Sequence, residues 1–190
     1  MAAFTPSVQL TVASTEEHFQ QILELQRQNQ RDSLTTEEQE NQGFVYVQHT
    51  PELLKQMAAL APQIVALEQG KVVGYNLAMS PLLQEAVPSL QPMFHEFSRL
   101  AYKGRNLEEF RYIVGGQVCV AASHRRQGLL QALYTEMRNQ LSSSFELCVT
   151  EISGRNTRSL QAHAKAGFEI ISSYEADGEN WQVVVCDWRA

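Results

Sequence analysis

The residues best suited to chemistry fall in two groups. The first is the turn Arg125-Arg126-Gln127-Gly128. It lies between the apolar run Val118-Cys119-Val120 and a stretch in which Leu129, Leu130, Leu133, Met137 and Leu141 recur at helical spacing. The opening amides of a helix have no internal partners, and the helix dipole adds positive potential there. Glycine lets a ligand approach the backbone, and arginine adds fixed charge. This strand-to-helix junction is therefore read as a site for a phosphate-bearing ligand. The second group is Asn156, Ser159 and His163, spaced to share one helical face and followed by Gly167-Phe168. Imidazole titrates near neutral pH and can donate a proton, although a helix histidine is as readily an ordinary surface residue.

The elements that must position these groups are legible from period and punctuation. Ser7 to Ala13 alternates polar and apolar residues and predicts a strand. Ser14-Thr-Glu-Glu17 matches a capping box, and Phe19, Ile22 and Leu25 follow in a helix ending near Gln30. Leu34-Thr-Thr-Glu-Glu38 starts a shorter helix that Gly43 stops, and Phe44 to Gln48 is an aromatic patch of undecided type. Thr50-Pro51 opens a helix carrying Leu53, Leu54, Met57 and Leu60. Ile64 to Glu68 and Lys71 to Met79 flank a hairpin turn at Gln69-Gly70.

Ser80 to Glu109 holds Pro81, Pro88 and Pro92, a helix from Pro92 to Ala101 and a turn at Lys103-Gly104. It is either a functional excursion or a surface one that packs Leu90, Met93 and Phe97 on the core. Phe110 to Ala121 is a fourth strand and Phe145 to Ile152 a fifth. Asn156 to Lys165 is a helix with Asn156 as its N-cap. Phe168 to Tyr174 and Trp181 to Trp188 are the last two strands, joined through Asp177-Gly178. The order predicts one mixed α/β layer with helices on its faces.

Composition narrows the function. The length of 190 residues suits one domain, and 44% apolar residues is ordinary for a globular protein. A net charge of −6 gives no general affinity for nucleic acid, so the local cluster at Arg125 fits a small anion better than a polymer. The N-terminus lacks the pattern of a signal peptide, and no run approaches the ~20 apolar residues of a membrane span. Cys119, Cys148 and Cys186 are scattered in apolar, strand-like surroundings and read as reduced core thiols of a cytoplasmic protein. His18, His49, His95 and His124 have no metal-ligand spacing, so no metal is expected.

In this order and spacing the chain resembles the GCN5-related N-acetyltransferase (GNAT) superfamily, most sharply from Val118 to Phe168. The family's acyl-CoA motif is Arg/Gln-x-x-Gly-x-Gly/Ala. Arg125 and Gly128 match it, while Leu130 stands where glycine or alanine is usual. The resemblance implies a single domain over residues 1–190. It also implies a GNAT fold of the α/β class, with a mixed, mostly antiparallel central sheet of about seven strands, helices on both faces, and splayed fourth and fifth strands.

The resemblance further implies that Val118, Cys119 and Val120 pair with the pantetheine arm of acetyl-CoA as an added strand would. Arg125 and the amides of Arg126, Gln127, Gly128, Leu129, Leu130 and Gln131 would hold the pyrophosphate, and Asn156 and Ser159 would contact the cofactor. In the family, a tyrosine four residues before the glycine of Gly-Phe protonates the leaving thiolate. His163 stands there instead, as general acid, as a non-acidic CoA contact, or with neither role. Some members carry a glutamate on the fourth strand, where this chain has Gly115-Gly116-Gln117. That leaves Glu151, at the end of the fifth strand, as the candidate general base, with a surface charge as its plain alternative. Glu108, Glu109, Tyr46 and Tyr102 are candidates for binding the acceptor. Cys119 has no His/Asp pattern beside it to make it an acylated nucleophile, and family precedent is direct transfer in a ternary complex.

The function so implied is an acyl-CoA-dependent N-acetyltransferase that moves an acetyl group from acetyl-CoA to an amine, the acceptor being expected to be a small molecule. Neither nucleic acid nor membrane is an expected partner, and homodimerisation, common in relatives, stays open. The missing tyrosine and strand glutamate motivate an alternative, a non-catalytic CoA-binding sensor or regulatory module.

Overall fold

The structure, a computed structural model, describes residues 8–35, 37, 39 and 44–189. Seven strands form one sheet: β1 (Val8–Val12), β2 (Ile64–Glu68), β3 (Lys71–Met79), β6 (Tyr112–Val120), β7 (Leu147–Ser153), β8 (Glu169–Ala176) and β9 (Glu179–Asp187). Their spatial order is β1-β2-β3-β6-β7-β9-β8, and every neighbouring pair is antiparallel except β6 and β7. A two-stranded ribbon of β4 (Ala101–Tyr102) and β5 (Arg105–Asn106) stands apart from it.

Both faces of the sheet are covered. On one lie α1 (Glu16–Gln28), α2 (Pro51–Leu60) and α3 (Gln91–Phe97), whose Phe19, Ile22, Leu54, Met57 and Phe97 join Tyr75 and Leu77 of β3 in one apolar cluster. On the other lie α4 (Leu129–Leu141) and α5 (Thr157–Lys165), and Leu129, Leu133, Met137 and Leu141 pack with Ile64, Ile113 and Cys148. Strand side chains alternate between faces. Along β7, accordingly, Leu147 and Val149 enter the first cluster while Cys148 and Ile152 enter the second. The long apolar runs of β6 and β7 reflect this burial on both sides.

The expected elements are present with boundaries moved by a residue or two. The cap of α1 is Thr15 rather than Ser14: its hydroxyl accepts from the His18 amide at 3.1 Å. Thr50 caps α2 as expected, accepting from the Leu53 amide at 3.2 Å. Three turns carry paired positive φ angles, at Gln69-Gly70, Lys103-Gly104 and Asp177-Gly178, as two-residue hairpins of the I′ type require. Between Ser80 and Glu109 the helix is Gln91–Phe97, shorter than expected, and it buries Met93, Phe94 and Phe97. The expected helix from Leu34 to Gly43 falls largely outside the described residues.

Two irregularities shape the site. Parallel pairing of β6 with β7 covers only Tyr112↔Leu147, Ile113↔Cys148 and Val114↔Val149, although both strands continue beyond it. The register of β3 against β6 also shifts, from Leu77↔Gln117 to Ala78↔Gly115, which leaves Gly116 as the extra residue of a bulge. A bulge bends its strand and increases its twist. Here β6 parts from β7 beginning at the bulge.

Candidate active site

The splayed strands open onto a cleft of about 430 Å³ lined by Val114 to Val118 on one side and Thr150 to Ser153 on the other. Thr150 marks its vertex, where its hydroxyl donates to the Gly115 carbonyl at 2.7 Å. Beyond that bond the edge of β6 has no strand partner among the described residues. The amide of Ala121 donates to Val73 of β3 at 2.9 Å, so the alternation of an antiparallel ladder turns the backbone groups of Cys119 toward β3 as well. The amide and carbonyl of Val118 and the amide of Val120 then face the open side. The edge expected for a pantetheine arm is thus built from Val118 and Val120, while Cys119 serves the ladder. Burial pushes the Cys119 thiol up to about 12, so it holds its proton and is no nucleophile at neutral pH.

At the far end of β6 the chain turns into α4. Arg126 and Gly128 both adopt left-handed conformations, with φ of 63° and 80°. Gly128 is the N-cap of α4 and supplies no side-chain acceptor, so the opening amides from Leu129 onward have no capping side chain. Successive amides in such a turn form a concave nest for an anion. No atom lies within 4 Å of where a Cβ on Gly128 would sit, so its φ, not crowding, calls for glycine.

The two arginines divide. Arg126 is exposed. Arg125 is folded back, donating from Nε to the Val120 carbonyl at 3.0 Å and from its guanidinium to Asn29 Oδ1 at the end of α1. The charge at the turn surface therefore belongs to Arg126, and Arg125 ties β6 to α1. Leu130, the departure from the family motif, packs its side chain against the apolar cluster beneath α4, so its backbone amide keeps its place in the helix start. Gln127 donates to the Ser123 carbonyl at 3.1 Å.

Asn156, Ser159 and His163 do line the cleft together. Asn156 caps α5, accepting from the Ser159 amide at 3.1 Å, and its Nδ2 donates to the Phe44 carbonyl at 3.1 Å. The His163 ring is buried beside Tyr134 and Phe168. Its Nδ1 lies 2.8 Å from the Ser159 carbonyl, which can only accept, so Nδ1 carries the proton. Nε2 must then accept the Tyr134 hydroxyl at 2.8 Å. Burial holds His163 down at about 4, so it is neutral at pH 7 with its single N–H already engaged. The group that sequence reading missed is Tyr134. Its hydroxyl lies 3.4 Å from the position a Cβ on Gly115 would take, at the vertex of the cleft. The only signal for it was its place beside Leu133 on the inward face of α4.

Glu151 projects from β7 toward the face that carries α1 and α3. Burial raises its carboxyl from an ordinary value of 4.5 to about 7, partly opposed by a hydrogen bond from the Tyr174 hydroxyl. A carboxylate so tuned exchanges protons near neutral pH. Glu108, Glu109 and Tyr102 lie elsewhere: Tyr102 is buried against Glu169 at 2.7 Å, and the two glutamates sit in a short turn before β6.

The patch from Phe44 to Gln48, undecided in sequence, forms the outer wall of the cleft. The Tyr46 ring meets Trp181 edge-on at 4.9 Å. The patch is anchored by Gln117, next to the bulge. Gln117 donates from Nε2 to the Val47 carbonyl at 2.8 Å, and its Oε1 accepts from Gln26 at 2.6 Å and from Tyr75. Gln26 in turn accepts the His49 amide at 2.8 Å. No sequence pattern announces this network, because its members come from four separated segments. Among the described residues no group of three or more acidic, histidine or cysteine side chains is placed to hold a metal. No described helix is long and apolar enough to cross a membrane.

A seven-stranded mixed sheet whose one parallel pair splays over a cleft, with a glycine-started helix at its end, is the GNAT fold. Solved structures agree over nearly the full chain. A Salmonella typhimurium protein assigned as an acetyltransferase, solved with acetyl-CoA, is 13% identical with a TM-score of 0.61, covering 96% of this chain and 94% of its own. The ribosomal-protein-S18-alanine N-acetyltransferase of Escherichia coli is 10% identical with a TM-score of 0.59, covering 95% and 93%. A GNAT-family acetyltransferase of Streptococcus pneumoniae is 14% identical with a TM-score of 0.59, covering 94% and 97%. At these identities the likeness is one of fold. No family model and no curated protein matches the chain by sequence.

Proposed function

We propose that the protein is an acyl-CoA-dependent N-acetyltransferase acting by direct transfer in a ternary complex. The observation that carries this reading is the splay of β6 from β7. Among the described residues it leaves the Val118 and Val120 edge unpaired, with the start of α4, which has no capping side chain, beyond one end and, at the other, a cleft lined by Val118 and by a carboxyl raised toward neutrality. Acetyl-CoA would lie with its pyrophosphate on the amides of Arg126 to Gln131 and its pantetheine along Val118 and Val120, past Asn156 and Ser159. The thioester would then sit near the vertex, where an amide of the β6 edge is available to a developing oxyanion.

Glu151 takes a proton from the incoming ammonium and passes it to solvent. The amine lone pair attacks the thioester carbon, the N–C bond forms and the C–S bond breaks. The second amine proton is lost as the amide forms, and one proton ends on the CoA sulfur. His163 contributes by position: its Nε2 accepts the hydrogen bond of the Tyr134 hydroxyl and holds the phenol at the vertex, so neither group donates and the leaving sulfur takes up the second amine proton. General-base assistance by Glu151 is worth about 10²- to 10⁴-fold.

Acetyl-CoA at about 100 times its Kd should add about 2.7 kcal/mol to stability, and thiol release should depend on added amine. No thermal shift at saturating acetyl-CoA would remove the reading. A clear shift with no thiol release across a broad amine panel would favour a CoA-binding regulatory module, the role that the buried and neutral His163 leaves open.

A further inference from the structure

We infer that the acceptor is a small primary amine on an aromatic or apolar body, with no carboxylate or phosphate near the amine; this rests on the acetyltransferase reading of the same cleft. Among the described lining residues the ionisable carboxyls are Glu151 and Asp177, and neither lysine nor arginine is present. Two arginines contact lining residues, Arg31 at Tyr46 and Arg155 at Ser153. Both are turned to Glu179, Arg31 at 4.0 Å and Arg155 from Nε at 3.0 Å, and Arg31 also donates to the Tyr46 hydroxyl at 2.8 Å. Glu179 is itself buried and also accepts from Ser153 at 2.8 Å, so this cluster is internally satisfied.

An acceptor bearing an anion beside its amine would meet the Asp177 and Glu151 carboxyls and, among the described lining residues, no cation. A cationic amine meets the reverse: the Glu151 and Asp177 carboxyls, and the rings of Trp181 and Tyr174, which attract a cation and cover an apolar body, while the Tyr46 ring already carries the Arg31 guanidinium at 5.3 Å. The volume points the same way. About 430 Å³ is at the lower end for small-molecule sites and must also admit the thioester arm.

The test compares 2-phenylethylamine, phenylalanine and a tetrapeptide with N-terminal phenylalanine. They share the aromatic body and differ in what flanks the amine. Binding is read as a change in tryptophan fluorescence, with Trp181→Phe to assign the signal to the cleft, and turnover as thiol release from acetyl-CoA. We expect 2-phenylethylamine to bind at least tenfold more tightly than either competitor and to be turned over with the higher kcat/KM. Asp177→Asn should narrow its advantage over phenylalanine at least threefold. Equal or tighter binding of phenylalanine or the peptide overturns the inference, as does an advantage that Asp177→Asn leaves unchanged. Absence of binding by all three also overturns it. In each case a preserved thermal shift with acetyl-CoA leaves the acetyltransferase reading standing, and only loss of that shift removes both.

Discussion

Replacing Glu151 by glutamine keeps the side-chain shape and an oxygen for the Tyr174 hydroxyl, but removes the group that takes the proton. The structure predicts opposite effects on activity and stability. If Glu151 is the base, turnover falls by about 10²- to 10⁴-fold, or roughly 3–5 kcal/mol of barrier, while acetyl-CoA binding is unchanged. Stability moves the other way, and only at higher pH. The folded carboxyl titrates at about 7 and the unfolded one at 4.5, so the folded state binds the proton more tightly. Below pH 4.5 both states are protonated and Glu151 carries no penalty. From pH 4.5 to about 7 the unfolded state ionises while the folded carboxyl keeps its proton, so the native protein loses stability across that window and the penalty is complete above it. At about 1.4 kcal/mol per pH unit the full penalty is about 3 kcal/mol, an upper figure because the carboxylate is not wholly enclosed.

Denaturant unfolding of wild type and Glu151→Gln should therefore agree near pH 4.5 and diverge by up to that amount at pH 8, with the variant the more stable. A variant that turns over within tenfold of wild type at pH 7.5 would remove Glu151 as the base. A stability difference that is the same at both pH values would refute the burial argument itself. Tyr174→Phe supplies a check of direction: without the hydroxyl that favours the ionised form, the acidic limb of the kcat/KM profile should move to higher pH.

Four further outcomes follow from the same geometry. Arg126→Glu should weaken acetyl-CoA binding by tenfold or more in calorimetry with little change in melting temperature. Arg125→Ala should instead cost about 1.5–3 kcal/mol of stability, through its lost bonds to Val120 and Asn29. Gly128→Ala forces a side chain into a φ of 80°, and should cost about 1–2 kcal/mol in denaturant unfolding as well as weakening acetyl-CoA binding. Asn156→Ala removes the α5 cap and should cost about 1 kcal/mol by the same measurement, with a further loss where the Phe44 carbonyl loses its donor.

The sequence alone determined the order of strands and helices, the hairpins at Gln69-Gly70 and Asp177-Gly178, the start of α2 at Thr50-Pro51, and the basic turn that opens α4. Those features depend on hydrophobic period, on φ preference and on caps, which act over a few residues and are written locally. Tertiary structure decided which atoms of the turn and cleft are available. Arg125 looks like a phosphate ligand until Asn29, 96 residues away, takes its guanidinium. His163 looks like an acid until Tyr134, 29 residues away, and Ser159 fix its tautomer, and burial removes its charge. Glu151 looks like a surface charge until Tyr174 and the neighbouring face enclose it. The undecided patch from Phe44 to Gln48 becomes a wall because Asn29 and Arg31, just past the end of α1, bind the Val45 backbone and Gln117 and Asn156 bind the Val47 and Phe44 carbonyls. Burial and proton affinity are set by contacts between distant segments, and a single sequence carries no local mark of them.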